Sequence, residues 1–276
     1  MDKIDSYREA LLRQRAGRIE AVGSPDGWLA AIGLERLRTG RNRIGSAPDN
    51  EIVVPEMADH AGHIELGSDG RALFVPASDG DVANTVEMLD TAAKPDAPTV
   101  VRLGRHSFHI VDRDGVKSLR IKDAEAPARS EFSGIDFYEV DPQWRLLARW
   151  EPLAEPFEMH VATVWGQVDT VEVTHRASFE VGSRELHLYP THFKAGKVVF
   201  MFADRTSGRE TNGTGRFLFA EPPADGTIEL DFNRAINPPS AFTYFATCPI
   251  APPRNRLEIA VTAGEKAYRP GDGETR

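Results

Sequence analysis

Cysteine is nearly absent from this chain, since Cys248 is the only one among 276 residues. A single thiol cannot form an intramolecular disulfide. A catalytic thiolate needs a neighbouring histidine, whereas Thr247 and Pro249 flank this cysteine. We therefore expect a buried, unreactive side chain at Cys248.

Long apolar runs and an excess of positive charge are also missing. No run approaches the roughly 20 apolar residues that a membrane helix needs. Residues 1–20 are charged throughout and lack the apolar stretch of a secretory signal. The net charge of -9 argues against a nucleic-acid partner, which requires a basic face, and against an anionic membrane surface. These features predict a cytoplasmic protein with neither a nucleic-acid nor a membrane partner.

The eight histidines show no metal-binding pattern. His60 and His63 are three residues apart, as are His106 and His109, and this spacing sends two side chains of a strand to opposite faces. A zinc site also needs a third ligand, which only Cys248 or a carboxylate is left to provide. We therefore expect no metal and no cofactor.

The periodicity predicts one helix followed by many strands. Ser6 and Glu9 form an S-x-x-E capping box, and the helix is predicted to run from there to about Ala21, before the breaker cluster at 23–25. From Trp28 onward, short β-branched and aromatic runs recur between Gly, Pro, Asp and Asn, which is typical of a sandwich or barrel. The predicted fold class is all-β, with two packed β units and one N-terminal helix.

The composition divides the chain into four segments. They are an N-terminal helix at 1–22, a first β-sandwich at 23–122, a second sandwich or barrel at 135–268, and a disordered tail at 269–276. A hairpin of His106–Val111 and Val116–Ile121 is predicted, because Asp114-Gly115 supplies the positive φ angles of a tight turn. Other predicted strands include Trp28–Ile32, Gly33–Leu37, Arg145–Trp150, Phe157–Trp165 and Leu257–Val261, with a bulge or full burial around Met159 and Val161.

The segment Gly40–Leu66, GRNRIGSAPDNEIVVPEMADHAGHIEL, resembles the core of a forkhead-associated domain. In that family an I-G-R strand and an S-R-x-H segment supply the arginine and serine that grip phosphothreonine. Here Ser46 stands in place of that arginine, and residues 58–61 put an acid where the phosphate would sit. The resemblance therefore implies a β-sandwich and argues against a phosphopeptide partner, with Arg41 or Arg43 as the remaining substitutes for the missing arginine.

Unusual polar residues concentrate in the stretch Lys197–Asn255. Glycines at 213 and 215 allow the backbone to approach a neighbour closely. The loop at 237–255 contains five prolines, so its conformation is largely preset, and long loops of this kind are usually functional. The candidate site residues in this stretch are Asp204, Thr206, Ser207, Thr211, Arg216, Asp231, Asn233, Arg234, Asn237 and Phe242.

The same stretch carries the motifs TSGRETNGTGRFLF and LDFNRAINPPSAFTYFATCPIAPPRNRL. With these and the earlier DGVKSLRIKDAEAPARSEFSGIDFYEVDPQWRLLARW, the chain resembles a bacterial family known as domain of unknown function 1684. That family lacks an established activity, so the resemblance identifies a family but implies no particular reaction. The family usually has tyrosine at the positions of Asn212 and Ile236 and cysteine at the position of Ser240, and chemistry that depends on those side chains is therefore not expected here.

The first functional hypothesis is binding of an anionic or polar small molecule by the second β unit. Arg216 and Arg234 would hold a carboxylate or phosphate of the ligand through bidentate hydrogen bonds. Asn233 and Asn237 would fix its orientation, and Phe242 would cover it.

Two alternatives remain open from the sequence. In a hydrolytic enzyme, Asp204 or Asp231 would act as general base, while Arg216 or Arg234 stabilises the developing negative charge. In an interaction module, loops of the forkhead-associated-like half would contact a protein. The sequence also allows a purely structural interpretation, in which Asp231 and Arg234 form an internal ion pair.

Overall fold

The structure is a computed structural model that describes residues 3–77, 84–94 and 97–270. Within these ranges the chain is mostly β, as predicted, with one long N-terminal helix. It divides into two compact units, residues 21–131 and residues 1–20 together with 132–276. Across the described ranges, no helix is both long enough and apolar enough to cross a membrane. Most of the tail predicted at 269–276 lies outside the described residues.

Helix α1 runs from Lys3 to Gly23. It begins before Ser6, so the predicted capping box at Ser6 and Glu9 is wrong: Ser6 lies inside the helix, where it is not the capping residue. The buried apolar face is narrow, because Leu11 and Val22 are buried whereas the side chain of Leu12 is half exposed. Polar contacts must therefore supply much of what holds this helix in place.

The N-terminal unit, residues 21–131, consists of two sheets around one core. Its strands are β1 Ala31–Arg36, β2 Gly40–Gly45, β3 Ile52–Val53, β4 Gly62–Leu66, β5 Ala72–Pro76, β6 Val86–Glu87, β7 Val101–Leu103, β8 His106–Arg113 and β9 Val116–Asp123. One sheet has the order β1-β9-β8-β7 and the other β3-β2-β4-β5-β6. Phe74 of β5 and Phe108 of β8 meet edge to face between the sheets, with ring centroids 5.2 Å apart. A short helix, α2, follows at Pro127–Ser130.

The predicted hairpin is confirmed as β8 and β9. Asp114 and Gly115 have φ angles of 51° and 81°, the two positive values that a two-residue turn of this hand requires. The strand predicted at Trp28–Ile32 is wrong at its start, because Trp28–Ala30 forms a 3₁₀ turn before β1. Leu29 and Ala30 are buried in that turn, and a short apolar run does not distinguish a buried turn from a buried strand.

The C-terminal unit also contains two sheets. Its strands are β10 Arg145–Ala162, β11 Val168–Val181, β12 Arg184–Leu188, β13 His192–Lys194, β14 Lys197–Phe202, β15 Arg216–Ala220 and β16 Thr227–Asp231. The sheet orders are β12-β11-β10-β16 and β13-β14-β15. The core between them is aromatic: the ring of Phe232 lies 5.3 Å from that of Phe202 and 5.7 Å from that of Phe179.

Two features of this unit differ from the sequence prediction. Two strands were predicted, Arg145–Trp150 and Phe157–Trp165, whereas β10 is a single strand from Arg145 to Ala162. Its register with β11 shifts between Pro152 and Phe157. Met159 and Val161 are fully buried, which was one of the two predicted explanations for their spacing. The strand predicted at Leu257–Val261 is wrong, because this segment joins no sheet. Its backbone forms hydrogen bonds with loop and side-chain groups instead.

Candidate functional site

Arg216 lies at the start of β15, and its side chain has no solvent-exposed surface (0%). Its Nη2 donates to Asp204 Oδ2 at 2.9 Å and to the Val261 carbonyl at 3.0 Å. Its Nη1 donates to the carbonyls of Ala263 and Glu265. Burial lowers the pKa of Arg216, and the attraction of the Asp204 carboxylate opposes that shift. This arginine therefore fastens the segment after residue 260 to β15.

The loop after β14 folds around Asp204. The Oδ1 atom of Asp204 accepts from the Thr206 amide at 2.8 Å and from the Thr206 hydroxyl at 2.6 Å. Thr206 and Thr211 share a hydroxyl–hydroxyl bond of 2.8 Å, and the Asp204 amide donates to Ser207 Oγ at 3.1 Å. Both carboxylate oxygens of Asp204 are thus engaged, one by this loop and the other by Arg216. The sequence-predicted residues of this stretch do assemble, as a closed network.

Gly215 explains how Arg216 enters the strand at this depth. Its φ angle is +107°, and a Cβ atom there would lie 2.5 Å from the Phe202 carbonyl oxygen. A Cβ at Gly213 would come no closer than 3.6 Å to another residue, on Gly208. Close backbone approach was predicted for both glycines, and it applies to Gly215.

A second network surrounds Asp231 at the end of β16. The Oδ1 atom of Asp231 accepts from the Tyr7 hydroxyl at 2.8 Å and from the backbone N–H of Asn233 at 3.2 Å. Its Oδ2 atom accepts from Arg234 Nε at 2.8 Å. Burial is the main cause of a raised pKa at Tyr7, and the hydrogen bond to Asp231 adds to it. Arg234 Nη1 also donates to Gln14 Oε1 of α1. Arg216 and Arg234 therefore each have a carboxylate of their own.

A third network joins α1 to the chain near Asn237. The backbone N–H of Asn237 donates to Glu265 Oε2 at 2.7 Å. The side-chain Nδ2 of Asn237 donates to the Lys266 carbonyl at 2.7 Å. Glu265 also pairs with Arg18 Nε at 2.9 Å. Burial raises the pKa of the fully buried Glu265, while the charge of Arg18 opposes the shift. The Arg18 guanidinium lies 5.5 Å from the ring centroid of Phe242, so Phe242 packs against an arginine of α1.

The second and third networks border a small, half-open pocket, which we call the α1 pocket. It is lined by Leu11, Gln14, Arg15 and Arg18 of the helix, by Phe137, and by residues 233–236. Its enclosed part has room for little more than a water-sized group. All of these residues belong to the C-terminal unit.

Arg15 differs from the other arginines of the α1 pocket. Its Nη1 donates to the Tyr138 carbonyl at 3.0 Å, and its guanidinium lies 4.6 Å from the Phe137 ring centroid. Its Nε and Nη2 are covered from solvent and have no hydrogen-bond acceptor among the described residues. Burial lowers the pKa of Arg15. An unpartnered buried cationic donor costs free energy, and such atoms mark a place where an acceptor would bind favourably.

Arg15, Arg18 and Glu265 were not among the residues predicted from the sequence. One signal for the two arginines was present, because Leu11, Arg15 and Arg18 follow the i, i+4, i+7 spacing of a single helix face. Arginines on the face that carries a buried leucine have to find partners inside the fold. Glu265 gave no comparable signal, since its contacts are 28 and 247 residues away in sequence.

In the N-terminal unit, the positions that resemble a phosphothreonine site are occupied by internal contacts. Ser46 Oγ donates to Asp59 Oδ1 at 3.0 Å. Arg43 holds both carboxylate oxygens of Glu51, through Nε and Nη2, at 2.9 Å each. The candidate substitute Arg43 is thus already paired with a carboxylate.

In the described ranges, no three His, Cys, Asp or Glu side chains cluster in a way that would hold a metal ion. Cys248 is buried, as expected.

Among solved structures, the chain is similar to the solution NMR structure of an uncharacterized protein of Haloarcula marismortui, with 30% identity over 50% of this chain and 78% of that chain and a TM-score of 0.40. No curated protein matches the chain. Residues 130–266 match the family described as "Protein of unknown function (DUF1684)" and belong to that family.

Proposed function

We propose that the C-terminal unit binds a small anionic ligand in the α1 pocket, with Arg15 as its main contact. The observation that carries this proposal is the pair of buried donors, Nε and Nη2 of Arg15, without an acceptor among the described residues. Each such donor costs about 1–3 kcal/mol when it is left unpaired. An anion that accepts both hydrogen bonds recovers this free energy, so binding is strongest for ligands with two suitably spaced oxygens.

Two of the residues proposed from sequence contribute to this site. Asn233 and Arg234 line the α1 pocket. Both are anchored by Asp231, which keeps their positions fixed before a ligand arrives. In this proposal they shape the wall of the pocket, and Arg15 supplies the hydrogen bonds.

The remaining residues proposed from sequence support the site from a distance. Asp204, Thr206, Ser207, Thr211 and Arg216 hold the segment that carries Glu265. Asn237 binds Glu265, and Phe242 packs against Arg18 of α1. Their proposed role is to position α1.

Binding is favoured over hydrolysis. The two candidate general bases, Asp204 and Asp231, are enclosed, with side chains 0% and 5% exposed. Each already accepts hydrogen bonds on both oxygens from groups of the chain itself. A general base has to reach the proton that it removes, directly or through one water.

A phosphopeptide partner is not proposed for the forkhead-associated-like half. Arg43 is already paired with Glu51, and the Ser46 hydroxyl donates a hydrogen bond to Asp59. A phosphate dianion there would meet a carboxylate. The cytoplasmic location stays a prediction from the sequence.

The test is thermal unfolding of the wild type with formate, acetate, benzoate, phosphate or sulfate, each compared with chloride at equal ionic strength. A ligand at about 100 times its Kd stabilises the fold by about 2.7 kcal/mol, so the melting temperature rises. Arg15→Gln should abolish that rise. Arg13→Gln is the matched control, because Arg13 lies on the same helix with a 73% exposed side chain. The proposal fails if none of the anions raises the wild-type melting temperature, or if Arg15→Gln keeps the rise.

A further inference from the structure

We infer that the ligand of the α1 pocket is a monocarboxylate with an apolar body, held side-on by the Nε and Nη2 atoms of Arg15. This inference rests on the proposed function and narrows it to one chemical class. Three observations support it: which guanidinium edge is unpartnered, how many charges surround it, and what lines the rest of the pocket.

The unpartnered edge of Arg15 is one that binds carboxylates elsewhere in this chain, although Arg102 holds Asp26 through Nη1 and Nη2. Arg43 uses Nε and Nη2 to hold the two oxygens of Glu51, at 2.9 Å each. Arg105 uses the same two atoms to hold Asp123, at 2.6 and 2.7 Å. Nε–H and Nη2–H point in parallel, at a spacing that matches the two oxygens of a planar carboxylate. In Arg15 this pair of donors is the one left over, because Nη1 is bound to the Tyr138 carbonyl.

Two of the three arginines that line the α1 pocket have a carboxylate partner. Arg18 is paired with Glu265 at 2.9 Å, and Arg234 is paired with Asp231 at 2.8 Å. Arg15 forms no ion pair with a described carboxylate, although the charges of Glu139, Asp231 and Glu265 act on it. A bound monoanion would give Arg15 such a partner. A phosphate dianion would bring a second negative charge beside Asp231 and Glu265, which disfavours it electrostatically.

The rest of the α1 pocket is mainly apolar. Leu11, Phe137, Ala235 and Ile236 line it beside the arginines. Nε and Nη2 are covered from solvent and the enclosed part of the pocket is small, so the group that binds them has to be compact and flat. A carboxylate is smaller and flatter than a tetrahedral phosphate. Phe137 and Ile236 are only partly buried, so their side chains can contact an apolar body attached to that carboxylate.

Isothermal titration of the full chain with benzoate, formate and inorganic phosphate at neutral pH tests the inference. Benzoate is expected to bind at least about tenfold more tightly than phosphate, because the phosphate dianion brings a second negative charge beside Asp231 and Glu265. It is also expected to bind more tightly than formate, which lacks the apolar body. Arg15→Lys keeps the charge and loses the parallel donors, so it should weaken benzoate binding about tenfold or more, whereas Arg13→Lys should leave it unchanged.

The outcomes separate the inference from the proposed function. If phosphate binds as tightly as benzoate through Arg15, the carboxylate inference is overturned and anion binding stands. If formate matches benzoate, the apolar body is overturned. If Arg15→Lys binds benzoate as well as the wild type does, the side-on geometry is overturned. If none of the three probes binds, the proposed function fails together with the inference.

Discussion

Arg216 Nη2 and Asp204 Oδ2 lie 2.9 Å apart, and neither side chain has any solvent-exposed surface. A buried ion pair of this kind is weak evidence for net stabilisation, since both charges lost their hydration to form it. Breaking the pair is strongly destabilising, because the remaining charge is left buried and unpaired. The pair therefore fixes the conformation of the loop after β14 and of the segment after residue 260.

Removing one member of this pair should destabilise the protein strongly. Arg216→Met is expected to lower the free energy of unfolding by about 3–5 kcal/mol, because it strands the Asp204 carboxylate in the interior. Arg205→Met is the control, since the Arg205–Glu258 pair is exposed at 60% and 77% and should change stability by at most about 1 kcal/mol. Urea unfolding of both variants measures the difference. Equal effects would show that the buried pair has no special role.

The glycine before Arg216 should tolerate no side chain. Gly215→Ala puts a Cβ within 2.5 Å of the Phe202 carbonyl oxygen at a φ of +107°, and we expect a loss of about 2 kcal/mol or more. Gly213→Ala, two residues earlier, meets nothing closer than 3.6 Å and should be nearly neutral. Chemical unfolding of the two variants decides the point. A Gly215→Ala protein as stable as Gly213→Ala would contradict the close approach described above.

The hydroxyl of Tyr7 should anchor α1 to the end of β16. Tyr7→Phe removes the 2.8 Å hydrogen bond to the Asp231 carboxylate, and bonds to charged groups contribute about 1.5–3 kcal/mol. A double-mutant cycle with Asp231→Asn measures the coupling directly. A coupling near zero would mean that Tyr7 contributes through packing alone.

His109 of β8 should make stability depend on pH. Burial, with the nearby charges of Arg120 and Lys122, lowers the pKa of His109 from 6.5 to about 4. Between these values the unfolded chain binds more protons than the folded one, so the contribution of His109 falls as the pH drops through that window. His109→Gln should remove a slope of at most about 1.4 kcal/mol per pH unit.

Unfolding free energies of wild type and variant, compared from pH 7 to pH 4, give this slope. His160→Gln, on an exposed strand position, is the control and should leave it unchanged. Parallel curves for wild type and His109→Gln would show that His109 titrates normally in the folded protein.

Local chemistry explains what could be predicted from the sequence. The Asp114-Gly115 turn, the strand periodicity and the glycine before Arg216 depend on neighbouring residues, and all three are found in the structure. The strand predicted at Leu257–Val261 failed because distant partners take its backbone groups: the Val261 carbonyl accepts from Arg216, 45 residues earlier. Periodicity carries no information about such partners.

In the candidate site, too, features set by neighbouring residues were predicted and features set by distant partners were not. Asp204 and Arg216 were singled out by their motif, but their mutual pairing was not predicted, since they lie 12 positions apart in the sequence. Arg15 was missed because its partner, the Tyr138 carbonyl, is 123 residues away. The sequence shows that Arg15 shares a helix face with Leu11. Only the packing of that face shows that two of its donors lack a partner.

Binding of an anion to Arg15 would change the resonance of its Nε–H group. We would follow the arginine Nε–H signals in ¹H–¹⁵N spectra during a benzoate titration, with assignment by the Arg15→Lys variant. We expect a saturable shift of the Arg15 signal, while the signal of Arg18, already bound to Glu265, moves little. An Arg15 signal that stays in place while benzoate reaches high concentration would show that Arg15 does not bind the anion.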